Sequence, residues 1–215
     1  MSATAKPAAC PSPAPQINRT GRKFDQVVEG ARQVFMADGF EGASVDDIAR
    51  AAGVSKATLY SYFPDKARLF SEVARSECDR MAEAAWQEID TSAPIRQVLT
   101  RIAVRILTFL LSDFAQSMFR ICVSERDRFP EIARAFYESG PEMGRKQLEA
   151  TFRDAVARGE LAIDNLTLAA EQFSDLTKSR LWLRAVFGVQ SVFSQEEIAE
   201  VADEAVDTFL ARYGA

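Results

Sequence analysis

Residues 44–70, SVDDIARAAGVSKATLYSYFPDKARLF, constrain this chain more than any other stretch. Ser44 followed three residues later by Asp47 is a pattern that opens a helix by satisfying its free N–H groups. Val45, Ile48, Ala49 and Ala52 then fall on one side at helical spacing. Gly53 marks a tight turn. Ser55 caps a second short helix, which must end by Phe63 because Pro64 disfavours helical geometry in the residue before it. Val54 plugs the angle between the two, and Asp65 caps a third helix at once. The second helix carries Lys56, Thr58, Tyr60, Ser61 and Tyr62 on one side, with Leu59 and Phe63 on the other. That layout suits a helix lying in the DNA major groove, held there by phosphate contacts.

The rest of the chain has helical period almost throughout, and no alternating run suggests a strand. A first helix spans about 22–38, with Val27, Ala31, Val34 and Phe35 on one face and Gly39 as its stop. The fourth is long, about 66–89, with Phe70, Val73, Ala74, Glu77, Met81 and Ala84 in one stripe. After Pro94 comes a helix over 95–112, apolar almost all round and so expected at the centre of a second domain. Helices over 114–127, 130–137 and 142–158 follow, the last closed by Gly159. One over 165–183 precedes a final helix over 195–213, which opens on a capping box of Ser194 and Glu197. The expected fold is all-α, with about nine helices. Residues 1–21, rich in Ala, Pro and Ser, are expected to be a disordered tail. A helix-turn-helix domain covers 22–65, and a second helical domain 66–213.

Composition excludes more than it proves. The chain has no histidine, which removes the usual general base and the commonest metal ligand. Cys10, Cys78 and Cys122 are too scattered to form a metal site, and suit a reduced, cytoplasmic setting better than a disulfide framework. No Gly-rich phosphate loop is present. Neither cofactor nor metal is expected, and no catalytic role. The most apolar run, 102–111, is interrupted by Arg105 and too short to cross a bilayer. The net charge of −5 is unevenly spread: residues 1–70 carry 9 Lys and Arg against 7 Asp and Glu, whereas 71–215 carry 17 against 24. That sign favours DNA at the N-terminal part alone.

Gly39-Phe40, Ser44, Ile48-Ala49, Ala52-Gly53-Val54-Ser55, Thr58-Leu59-Tyr60, Tyr62-Phe63 and Lys66 together resemble the TetR family of bacterial transcriptional regulators, over about residues 22–70 and without gaps. Residues 119–142, FRICVSERDRFPEIARAFYESGPE, are similar to a stretch of that family's AefR-like branch. The resemblance implies a three-helix DNA-binding domain, then helices enclosing a ligand pocket, then two last helices that pair with those of a second subunit. It implies a homodimer on a palindromic operator, most often a repressor released by an apolar or amphipathic small molecule.

On the matching positions, Lys56 would donate to guanine O6 or N7, and Ala57 would approach a thymine methyl. Tyr60 and Ser61 are further candidates for base or backbone contact. Ser44, Thr58 and Tyr62 would offer hydroxyls to phosphate, and Lys66 would add its charge at the start of the fourth helix. Arg19, Arg22 and Lys23 precede the first helix, where a phosphate-reaching arm and a solvated tail are both open. For the ligand pocket the candidates are Met81, Phe109, Phe119, Cys122 and Phe152, on faces expected to turn inward. Two rival classes remain. One is a helical enzyme with a cofactor in its bundle, which the missing histidine disfavours. The other is a helical protein–protein adaptor without DNA binding.

Overall fold

The computed structural model describes residues 21–86, 90 and 92–215, with backbone alone at 81–86. The expected tail over 1–20 and the expected last turn of the fourth helix at 87–89 lie outside the described residues. The helices are α1 (Arg22–Gly42), α2 (Val45–Ala51), α3 (Lys56–Tyr62), α4 (Lys66–Trp86), α5 (Ile95–Leu110), α6 (Asp113–Glu125), α7 (Pro130–Ser139), α8 (Pro141–Ala157), α9 (Leu166–Lys178), α10 (Leu181–Val186) and α11 (Gln195–Tyr213). Among the described residues there is no strand. One isolated bridge, Leu161 to Gly214, ties the C-terminus to the α8–α9 loop.

The all-α expectation holds, but the segmentation is finer than about nine helices. The single helix expected over 165–183 is two, α9 and α10. Ser174 and Thr177 hydroxyls donate back to the Ala170 and Phe173 carbonyls, a competition that weakens the backbone ladder. The Ser179 N–H then closes on the Leu176 carbonyl, one residue short of the α-helical partner. At the N-terminal end, Gly39 does interrupt α1: it takes φ 72°, the left-handed conformation that glycine adopts without a Cβ clash. One further turn, carrying Phe40 and Glu41, follows it.

Side chains pack into two cores. The first holds Phe24, Val27, Phe35, Ile48, Leu59, Phe63 and Phe70 from α1–α4, and it continues into Met118 and Cys122 of α6 and Ile132 of α7. The second gathers Leu99, Ile102 and Leu107 of α5 with Phe152, Phe173, Val206 and Phe209 of α8, α9 and α11. Apolar packing therefore does not part at residue 65, since α6 and α7 lie against the helix-turn-helix unit. α5 is central to the second core as expected, but it is not apolar almost all round. Arg96, Gln97, Arg101 and Thr108 are exposed on it, and Arg96 pairs with Asp207 of α11. The exposed Gln97, Arg101 and Thr108 recur at helical spacing, so only one stripe faces the core.

Candidate nucleic-acid interface

The helix-turn-helix is shaped by two serine caps and one close backbone approach. Ser44 Oγ accepts from the Asp47 N–H at 3.1 Å and donates to the Asp47 carboxylate at 2.5 Å. That is half of the expected reciprocal box, because the carboxylate takes the hydroxyl rather than the Ser44 N–H. The Ser44 hydroxyl, with Arg50 behind it, holds the Asp47 carboxyl below the usual carboxylate range. Ser55 Oγ accepts from the Thr58 N–H at 3.1 Å. Gly53 turns the chain at φ 63°. Gly30 of α1 lies so close to α2 that a Cβ there would sit 2.6 Å from the Ala52 nitrogen.

Leu59 and Phe63 are buried, at 2% and 0% exposure, so α3 is clamped by its apolar side. Lys56, Ala57, Tyr60 and Ser61 all face solvent and, one turn apart, share a single face. Thr58 is half-buried and within 2.9 Å of the Ser55 hydroxyl. The Lys56 ammonium pairs with Asp46 of α2, and that hydrogen bond pushes its pKa up. A phosphate or base contact by Lys56 must use its remaining donors or exchange this partner. Asp46 carries no local sequence signal for that role; only the inter-helix angle brings it to Lys56.

The other three expected DNA contacts are engaged within the fold. Ser44 is a cap. The half-buried Tyr62 ring meets Phe24 edge-on at 5.8 Å. Lys66 Nζ donates to the carbonyls of Ala43 at 3.0 Å and Glu41 at 3.3 Å, and sits 4.7 Å from the centre of the Phe40 ring. Two of its three donors thus hold the end of α1. The same tip of α1 meets the α6–α7 corner, where Arg128 pairs with Glu41 at 2.6 Å and Phe129 stands edge-on to Phe40 at 5.0 Å.

The four expected ligand contacts whose side chains are described do not converge. The Met81 side chain lies outside the described residues. Cys122 sits in the first core and Phe152 in the second, against Phe173 and Phe209 at 6.0 and 5.0 Å. Phe119 is half-buried, edge-on to Trp182 of α10 at 5.0 Å, and Phe109 is half-buried at the end of α5. Helical period identifies a side chain that turns inward but not which of two cores receives it. Burial pushes the Cys78 thiol up to about 11 and that of Cys122 to about 12. Among the described residues, no group of His, Cys, Asp or Glu could hold a metal, and no helix is long and apolar enough to cross a membrane.

Away from α3, large apolar side chains stand open between the last helices. Leu183, Phe187, Val189 and Val192 are 57%, 76%, 76% and 80% exposed. Their segment is nevertheless ordered: Gln190 Nε2 donates to the Val192 carbonyl and to Glu197, beside the complete Ser194–Glu197 capping box of α11. A shallow groove between α9 and α11, lined by Gln172, Leu176, Thr208 and Arg212, opens on the protein surface.

Two family models match the chain. One, described as bacterial regulatory proteins of the tetR family, covers residues 27–73, and the other, the AefR-like transcriptional repressor C-terminal domain, covers 97–215. The HTH-type transcriptional repressor AcnR of Corynebacterium efficiens is 41% identical over 58 residues, 27% of this chain. The chain spans only 31% of that curated relative's length. A TetR-family regulator from Mesorhizobium loti has the same fold, with a TM-score of 0.82 at 28% identity, over 90% of this chain and 98% of that one. The flavonoid-responsive regulator FrrA superposes with a TM-score of 0.74 at 36% identity, over 91% and 98% of the two chains.

Proposed function

The chain belongs to the TetR family of bacterial transcriptional regulators, and from that premise we propose that it is a homodimeric repressor, freed from a palindromic operator by an amphipathic small molecule. The observation that carries this reading is the open face of α3. Lys56, Ala57, Tyr60 and Ser61 project from a helix whose other side is locked by Leu59 and Phe63. A seven-residue helix held this rigidly can enter a major groove without paying for its own ordering. Membership of a family of DNA-binding regulators removes the enzyme alternative.

Two contacts suit the chain to coupling. α4 starts at the DNA-binding unit, and the α6–α7 corner grips the tip of α1 through Arg128 and Phe129. A ligand that fits one setting of these helices better than another shifts the population toward it. In a dimer, the two α3 helices must meet grooves about 34–36 Å apart. A shift of a few ångströms then forbids simultaneous contact, and the gain from bivalency is lost. The exposed apolar connector at 183–192 and the groove between α9 and α11 support pairing of two copies through the last helices, since apolar patches of this kind mark interaction surfaces. The likeness to AcnR supports the repressor sign. That to FrrA supports a hydroxylated aromatic as effector.

The test is a fluorescence titration of DNA flanking the chain's own gene at several salt concentrations. Tyr60→Ala should weaken binding about tenfold or more with the helical circular dichroism intact. Lys56→Gln should lower the slope of log affinity against log salt by about 1 per subunit. Unchanged affinity and slope in both variants would favour the adaptor alternative, in which this face meets no duplex.

A further inference from the structure

Among the described residues, one buried side-chain polar atom has no hydrogen-bond partner: Oε1 of Gln116 on α6. The side chain is 7% exposed. Its orientation is set by chemistry, because the amide nitrogen donates to the Leu110 carbonyl at 2.6 Å. Turning the amide over would press two oxygens together. The acceptor is therefore stripped of water and receives nothing in return, which a fold does not retain without cost.

The surroundings show what could satisfy it. One turn along α6, Phe119 stands edge-on to Trp182 of α10 at 5.0 Å. Phe119, Trp182 and Leu111 at the α5–α6 corner are all half-buried, and α6 meets α5 and α10 only sparsely. This seam is more thinly packed than either core. Phe119 and Trp182 give it aromatic walls, and Gln116, one turn before Phe119 on the same helix, carries an acceptor without a partner. Met118, on the side of α6 opposite Gln116, and Cys122, one turn beyond Phe119, lie in the core shared with α1 and α4. A molecule entering at Gln116 would push on a helix whose back is packed against the DNA-binding unit.

We infer that Gln116 is the polar anchor of the effector site: its free amide oxygen accepts a hydrogen bond from a hydroxyl or N–H of an aromatic ligand that enters between α6 and α10, against Phe119 and Trp182. This rests on the ligand-responsive reading above and specifies its ligand class. Gln116 also fastens the end of α5 through Leu110, so a purely structural role must be separated from recognition.

The experiment uses the full chain carrying Trp86→Phe, which leaves Trp182 as the single indole. Quenching of Trp182 is titrated with two matched pairs, 7-hydroxyflavone against flavone and 4-hydroxybiphenyl against biphenyl, without DNA. In at least one pair the hydroxylated member should bind about tenfold tighter than its parent, because a site with a buried acceptor penalises the analogue lacking the donor. Gln116→Met should reduce that preference to less than about twofold while affinity for the parent stays the same. Three results overturn the inference: no saturable quenching, a preference that survives Gln116→Met, or equal loss for hydroxylated and parent compounds, which marks a structural role. Operator binding is scored separately on the same protein. A chain that shows the hydroxyl preference but binds no duplex defeats the regulator reading and leaves the anchor standing.

Discussion

Gly30→Ala sets two well-defined effects against each other. Gly30 lies inside α1, where replacing glycine by alanine ordinarily stabilises a helix by about 1 kcal/mol. Here, however, the new Cβ would lie 2.6 Å from the Ala52 nitrogen and 2.8 Å from the Ala52 Cα and Cβ. Those atoms are mostly backbone, so no rotamer change relieves the clash. α2 must retreat by about 1 Å to restore ordinary contact. Overpacking of this kind costs about 1–3 kcal/mol, so the net expectation is a loss of up to about 2 kcal/mol despite the better helix former. Gly144→Ala is the internal control. It lies in α8, and its Cβ would meet nothing within 4 Å, so it should gain up to about 1 kcal/mol. Urea unfolding by circular dichroism at one fixed protein concentration compares the three proteins. Because α2 carries α3, Gly30→Ala should also weaken operator binding where the protein is still folded. If Gly30→Ala is as stable as Gly144→Ala, the α1–α2 approach is looser than described and the reasoning fails.

Two further outcomes follow from the site. Asp46→Asn frees Lys56 and removes a negative charge beside the binding face; operator affinity should rise about two- to fivefold at low salt, with the gain fading at high salt, and a loss of affinity would show that the pair positions Lys56 instead. In a Cys10→Ser background, Cys78 and Cys122 should resist a thiol reagent at pH 8. With thiols pushed up to about 11 and about 12, less than about one part in a thousand is thiolate. Labelling within seconds in native buffer would contradict their burial.

Much of the first domain was legible because its signals are local. Ser44, Ser55 and Asp65 each accept from an N–H three residues on, and Gly39 and Gly53 take the positive φ expected of them. The capping box at Ser194 was equally readable. The break between α9 and α10 was not, since Ser174, Thr177 and Ser179 are all tolerated in a helix and no glycine or proline marks the point where the Ser179 N–H turns to the Leu176 carbonyl. The expected ligand contacts separated because Cys122 and Phe152, each correctly placed on an inward face, turn toward different cores. Gln116 gave no signal at all: a glutamine in a helix is unremarkable until its neighbours leave its oxygen unpaired.

What the linear order of residues decided by itself is the helices of the first domain with their serine and aspartate caps, and the sidedness of α3, because these depend on spacings of three and four residues along one backbone. What only the folded chain decided is which surfaces meet. The Asp46–Lys56 pair spans the turn. Lys66 is drawn onto the end of α1. The first core reaches from α1 to α7, and Phe129 locks onto Phe40. Such contacts depend on angles between helices, and those angles come from how whole side-chain surfaces interlock, with Gly30 admitting Ala52 as the clearest case. No run of three or four residues contains that information, since the partners lie from 10 residues (Asp46 and Lys56) to 89 residues (Phe40 and Phe129) apart.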